Sequence, residues 1–189
     1  MQDALSRGYA NISGLARAVR RDVERILGHK VSQASVVSAI KRIRPTFTQS
    51  SLSITEVVAK SSVSVLTDVA KISVEKSRRS LESVRRLIAG YQEQFLQVSE
   101  GVSAVTLIFD EKILEKIREC FDDQDILEEE LGLAAIIVHS PKEIIKTTGC
   151  AITFYSTVSR QRINIEDTVS CYTDTIIIVN MSDAGRAFE

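Results

Sequence analysis

Apolar positions in the first part of the chain recur at helical spacing. Asn11 offers an N-cap, and Ile12, Leu15, Ala16, Val19, Val23, Ile26 and Leu27 follow three or four residues apart until Gly28 stops the run. Ser32 caps a second helix with Val36, Val37, Ile40 and Ile43 on its apolar face. Residues 2–7 read as the end of an earlier helix, giving a three-helix head of helix-turn-helix or winged-helix-like kind. Pro45 and the Ser/Thr-rich stretch 46–53 read as a break and put the first boundary after residue 45.

Beyond that break the pattern turns to strands and helices in a repeated order. Residues 69–74 alternate as a strand, and Leu81, Val84, Leu87 and Ile88 mark a helix. Strands at 94–98 and 102–109 flank the turn Ser99-Glu100-Gly101, and a helix with Ile113, Leu114 and Ile117 closes the unit. The second unit opens with the apolar run 133–139, a strand buried on both faces. Ala151, Phe154, Tyr155 and Val158 mark its helix, strands follow at 163–171 and 175–181, and 183–189 begins another helix. Strands 104–109 and 175–180 stand about 71 residues apart. The order β-α-β-β-α, twice, predicts an α+β protein with two ferredoxin-like units, at 46–125 and 126–189. The acid-rich stretch 122–130 between them reads as a solvated connector or short helix. No closing fourth strand follows the last helix, so either the chain is truncated there or another segment completes the sheet.

Composition narrows the function. With 44% apolar residues, and eight Gly and two Pro among 189, collagen-like and disordered classes are excluded. No apolar run approaches the ~20 residues of a membrane span, and no signal-peptide pattern opens the chain. Three cysteines without Cys-x-x-Cys spacing argue against a disulfide framework and for a cytoplasmic protein. Two distant histidines make a metal cluster improbable, and neither a cofactor nor an enzyme activity is expected. Residues 1–44 carry a net charge of +6, nine bases against three acids, and the remainder carries −7. Gln33, Lys41, Arg42 and Arg44 on the second helix are therefore candidates for contacting DNA, the alternative being a solvated face of a helical packing or dimerisation module.

The run Thr148-Gly149-Cys150-Ala151-Ile152-Thr153-Phe154, continuing through Arg162-Ile163-Asn164-Ile165-Glu166, resembles an ACT domain of aspartokinase type. In that family a glycine closes the loop before the first helix and an Asn-Ile pair opens the second strand about fifteen residues later, as Gly149 and Asn164-Ile165 do here. The resemblance covers roughly residues 133–189. The first repeat shares the order only, since its loop Glu75-Lys76-Ser77 lacks the glycine. The family's Pro before the glycine is Thr148, and Ser140-Pro141-Lys142-Glu143 predicts an added short helix.

The resemblance implies a regulatory protein that senses a small metabolite, an amino acid in the first instance, as a homodimer or higher oligomer. Its output would reach DNA or a partner enzyme. Thr148, Gly149, Cys150, Ala151, Asn164 and Ile165 are the implied ligand-binding residues. Free amides at a helix start suit a carboxylate, and an Asn side chain can read both ends of an amino acid. The other reading is an ACT scaffold for dimerisation or partner binding, with Gly149 merely a helix-start glycine. Cys150 with His139 as base is a third, catalytic reading, weighed against a buried small residue. Glu166 and Asp167 point to opposite strand faces and cannot act together. Arg78, Arg79, Arg85 and Arg86 form a basic helix stripe expected to pair with Glu128, Glu129 and Glu130.

Overall fold

The computed structural model describes Leu5 and residues 10–188, without the side chains of 44–52. Most of the expected helix at 2–7, and the Arg44 side chain, lie outside the described residues. Two units emerge: residues up to Lys60 with Lys146–Gly149, and Ser61–Ile145 with the chain from Cys150 onward.

The first unit is a helical hairpin. Helix α1, Ile12–Leu27, starts where Asn11 Oδ1 accepts from Gly14 N at 2.9 Å. It ends on Gly28, whose φ of 72° suits the left-handed cap. Ser32 Oγ accepts from Ser35 N at 3.1 Å and opens α2, Gln33–Ala59. Ala16, Val36 and Ile40 are buried together, but Ala16 is the one buried residue of α1. The apolar stripe of α1 is thus only half used.

Helix α2 corrects the boundary placed at residue 45. It runs through Pro45 and the Ser/Thr stretch to Ala59, and the units divide at Lys60 and Ser61 instead. An interior proline removes one hydrogen bond and serine or threonine weakens a helix by about 0.5 kcal/mol each. Those costs bias the backbone without forbidding a 27-residue helix. Among the described residues of this unit no strand is present, so nothing corresponds to a wing.

The second unit is one six-stranded antiparallel sheet, ordered β2-β3-β1-β4-β6-β5. Its elements are β1 Ser62–Glu75, α3 Arg78–Gly90, β2 Leu96–Glu100, β3 Ala104–Asp110, α4 Leu114–Arg118, β4 Ile126–His139, α5 Cys150–Arg160, β5 Asp167–Cys171, β6 Asp174–Asn180 and α6 Ala184–Phe188. The two central strands are 14 residues long, twice the length the apolar runs predict. Their second halves pair outward: 69–75 with β3 and 133–139 with β6. Their first halves pair across the centre, so 62–66 flank 135–139 and 126–130 flank 71–74. The first half of β1 thus lies beside β4, so that another segment of the chain completes the sheet there, one of the two expected alternatives.

Side-chain alternation sorts the core. Ala70, Ile72 and Val74 of β1 meet Val84 and Leu87 of α3 and Ile117 of α4. Ala134 and Ile136 of β4 meet Val158 of α5 and Ala184 of α6. Val69, Ile108, Leu133, Ala135, Ile176 and Ile178 form a third buried cluster. Ends of matching strands are capped alike: Asp110 Oδ1 accepts from Lys112 N, and Asn180 Oδ1 from Ser182 N, both at 3.0 Å.

The acid-rich connector is corrected too. Residues 126–130 are strand, and their acids have specific partners. Lys71, 5% exposed, holds Glu128 at 3.1 Å and Glu130 at 2.7 Å. Arg118 holds Glu129 at 3.1 Å. The arginine stripe of α3 does not reach these glutamates: Arg79 binds Asp122 and Arg78 binds Glu82. A run of acids reads as solvated when the cross-strand lysine is out of sequence range. The turn predicted after Pro141 is a 3₁₀ helix, Lys142–Lys146.

Candidate functional site

The implied ligand residues are distributed over both units. Thr148 is exposed and Gly149 half-buried in the turn that ends with the first unit's short segment. Gly149 has φ +94°, and a Cβ there would meet Ile54 Cδ1 of α2 at 3.1 Å. Glycine is thus required twice over, by backbone angle and by the neighbouring side chain. Sequence reasoning missed Ile54, because nothing in local spacing ties it to a glycine 95 residues further along the chain.

Cys150 and Ala151 begin α5 in the second unit. Cys150 is 1% exposed and Ala151 is exposed. Burial pushes the Cys150 thiol above the ordinary cysteine range, which disfavours the thiolate that nucleophilic chemistry needs. The proposed base is engaged elsewhere: His139 Nδ1 lies 2.5 Å from Asp174 Oδ1 on the adjoining strand. The catalytic reading of Cys150 is set aside on these two grounds. The strand register pairs His139 with Asp174 directly, a relation no spacing in the sequence reveals.

Asn164 is exposed in the segment leading into the second unit's edge strand, and its Nδ2 donates to Glu166 Oε1 at 2.8 Å. Ile165 packs against the cluster of Val158 and Ile163. Strand β5 itself opens at Asp167, four residues later than the pattern predicts, with Glu166 N donating to Ile178 O at 2.8 Å. Ile165 serves as packing.

On the hairpin, Lys41 and Arg42 are exposed and line a shallow notch with Ala34, Ser35 and Ser38. Gln33, a candidate for contacting DNA, is half-buried and donates from Nε2 to Ser13 O at 3.3 Å, tying α2 to the start of α1. Among the described residues no group of three His, Cys, Asp or Glu side chains is arranged for a metal. No described helix is long and apolar enough to cross a membrane.

No family model matches the chain, and no curated protein matches its sequence. Solved structures do match in fold. The regulatory subunit of aspartate kinase from Thermus thermophilus, in a ligand-free form, superposes with a TM-score of 0.54 and 16% identity, over 67% of this chain and 90% of that one. The aspartate kinase of Clostridium acetobutylicum, described as an allosteric enzyme, gives 0.54 and 20% over 67% of this chain and 32% of its own. Escherichia coli aspartokinase III in complex with aspartate and ADP gives 0.51 and 12%, over 68% and 32%. The chain thus spans about a third of each whole kinase and nine-tenths of the separate regulatory subunit. At these identities the likeness is one of fold: the sheet unit has the architecture of aspartate kinase regulatory domains, the ACT-type fold that the residues around Gly149 resemble.

Proposed function

We propose that this chain is a non-catalytic regulatory protein whose sheet unit, built as two ACT-type repeats, binds a small metabolite of the amino-acid class. The observation that carries this reading is the doubled order β-α-β-β-α closing into one sheet, an architecture shared with a free-standing regulatory subunit. The amides of Cys150 and Ala151 at the start of α5 receive the ligand carboxylate, after the turn of Thr148 and Gly149, and Asn164 reads its polar end beside Ile165. The protein acts as a homodimer or larger assembly in the cytoplasm, and the ligand favours one arrangement by its differential affinity for it. The basic hairpin delivers the output, to a partner enzyme or to DNA through Lys41 and Arg42 with Arg44.

A scaffold that binds no metabolite is the second reading. Two observations favour it: Ile54 fills the space beside Gly149, and Asn164 already bonds Glu166.

Thermal denaturation of the whole protein across the twenty amino acids separates them. Under the sensing reading one or two raise the midpoint by several degrees at about 100 times their Kd, equivalent to ~2.7 kcal/mol. Asn164→Ala abolishes that rise without lowering the ligand-free midpoint. No rise for any amino acid up to about 10 mM leaves the scaffold.

A further inference from the structure

From the helical hairpin alone, independently of the metabolite reading, we propose that the groove between α1 and α2 is a docking site for an acid-flanked amphipathic helix of a partner protein. The groove encloses about 480 Å³, and ten of the eleven described residues that line it are apolar. Leu15, Val19, Val23 and Leu27 of α1 supply one wall at four-residue spacing, facing Ile40 and Ile43 of α2. Leu27 and Ile43 are 52% and 48% exposed, and the neighbouring Ile26 is 83% exposed. Leu5, 4% exposed, already packs at one end of the groove with Ala16, Val36 and Ile40. The end lined by Val23, Leu27 and Ile43 stays open and has room for one more helix, recognised through anchors at i, i+3 or i+4, and i+7.

Charge selects the occupant. Seven Lys or Arg stand against two acids between residues 10 and 43. Both acids are spent within α1: Asp22 on Arg25 at 3.1 Å and Glu24 on Arg20 at 3.5 Å. Lys41 and Arg42 line the notch that shares Ser35 with the groove, and neither has a partner among the described residues. A second copy of the hairpin would bring the same basic surface against itself. Nucleic acid would satisfy the charge and leave the apolar wall uncovered. A helix with apolar anchors and flanking Glu or Asp meets both.

The test uses the whole protein and a fluorescein-labelled helical peptide of about five turns, with Leu anchors and Glu flanks. Fluorescence anisotropy is expected to show saturable binding. Val23→Asp weakens it at least about tenfold, and so does Ile43→Asp, an exposed position that guards against a folding defect in the first variant. Lys41→Glu with Arg42→Glu weakens it about threefold or more. Equal binding of a Lys-flanked or scrambled peptide overturns the proposal, as does displacement of the peptide by duplex DNA. A concentration-dependent dimer that Val23→Asp dissolves, seen by sedimentation, overturns it in favour of a second copy.

Discussion

Asp68 and Gly132 occupy the same place, the seventh residue, in the two 14-residue strands of the sheet, and both have positive φ, 57° and 66°. Each marks the point where a strand passes from one pairing partner to the other, with the register shifting between Leu66 and Val69. The conformation is served by glycine in one strand and by an aspartate in the other, a residue that tolerates the left-handed region better than most.

Replacement at the two positions is therefore asymmetric. Gly132→Ala meets no atom within 4 Å, so its cost is conformational, about 1–2 kcal/mol. Asp68→Gly changes stability by less than about 1 kcal/mol, relief of strain offsetting added freedom of the unfolded chain. Urea denaturation of both variants measures the difference, and equal losses would contradict the shared bend.

Lys71 gives a pH dependence. Burial acts to lower its pKa, but hydrogen bonds to Glu130 and Glu128 outweigh it and hold the ammonium above the ordinary lysine range of 10.5. A folded pKa raised above the unfolded one stabilises the protein fully below pH 10.5 and loses that contribution as pH climbs through the folded value. Lys71→Met is expected to lower stability at neutral pH by about 1–3 kcal/mol, since two half-open glutamates lose their counter-ion. It also flattens the fall in stability above pH 10.5. Denaturation midpoints from pH 7 to about 11 check both statements.

Gly149→Ala combines a disallowed backbone angle with a 3.1 Å contact to Ile54. A loss of about 2–4 kcal/mol is expected. Ile54→Ala removes the contact and leaves the angle, so the double variant recovers part of the loss and not all. A double-mutant cycle by thermal denaturation shows no coupling if the two side chains do not meet.

Thiol labelling ranks the cysteines. Exposed Cys171 reacts with iodoacetamide first and half-buried Cys120 next. Cys150, buried and with its thiol pushed upward, reacts only as the protein unfolds. Rapid modification of Cys150 in the native protein, located by peptide mass mapping, would reopen its catalytic reading.

Much of the second unit was legible because apolar spacing is local information. Helices at Leu81–Leu87 and Phe154–Val158 and the strands before Asp110 and Asn180 follow from residues within one or two turns of each other. What was hidden depends on partners far along the chain. The alternation Ser62-Val63-Ser64-Val65 is a strand signal that sequence reasoning missed, whereas 126–132, with three adjacent glutamates, reads as strand only because it flanks the apolar half of β1. Glu128 and Glu130 look solvated until Lys71, directly opposite Glu130, is brought beside them. Of the implied ligand residues, the glycine requirement at Gly149 was legible in type, while its neighbour Ile54 and the Asn164–Glu166 bond were visible only in three dimensions.

Because each long central strand pairs on both of its sides, neither half of the sheet is a separable module. A fragment ending near Asp125 would keep β1 but lose the segment that covers Lys71–Val74, and its complement would keep β4 but lose the segment beside Ala135–His139. Co-expressed, the two pieces have matching vacancies and reason to reassemble, whereas either alone bares a sheet edge. The two halves of the sheet are thus closer to an interlock than to two beads on a string, since a displacement of either long strand moves the backbone of both.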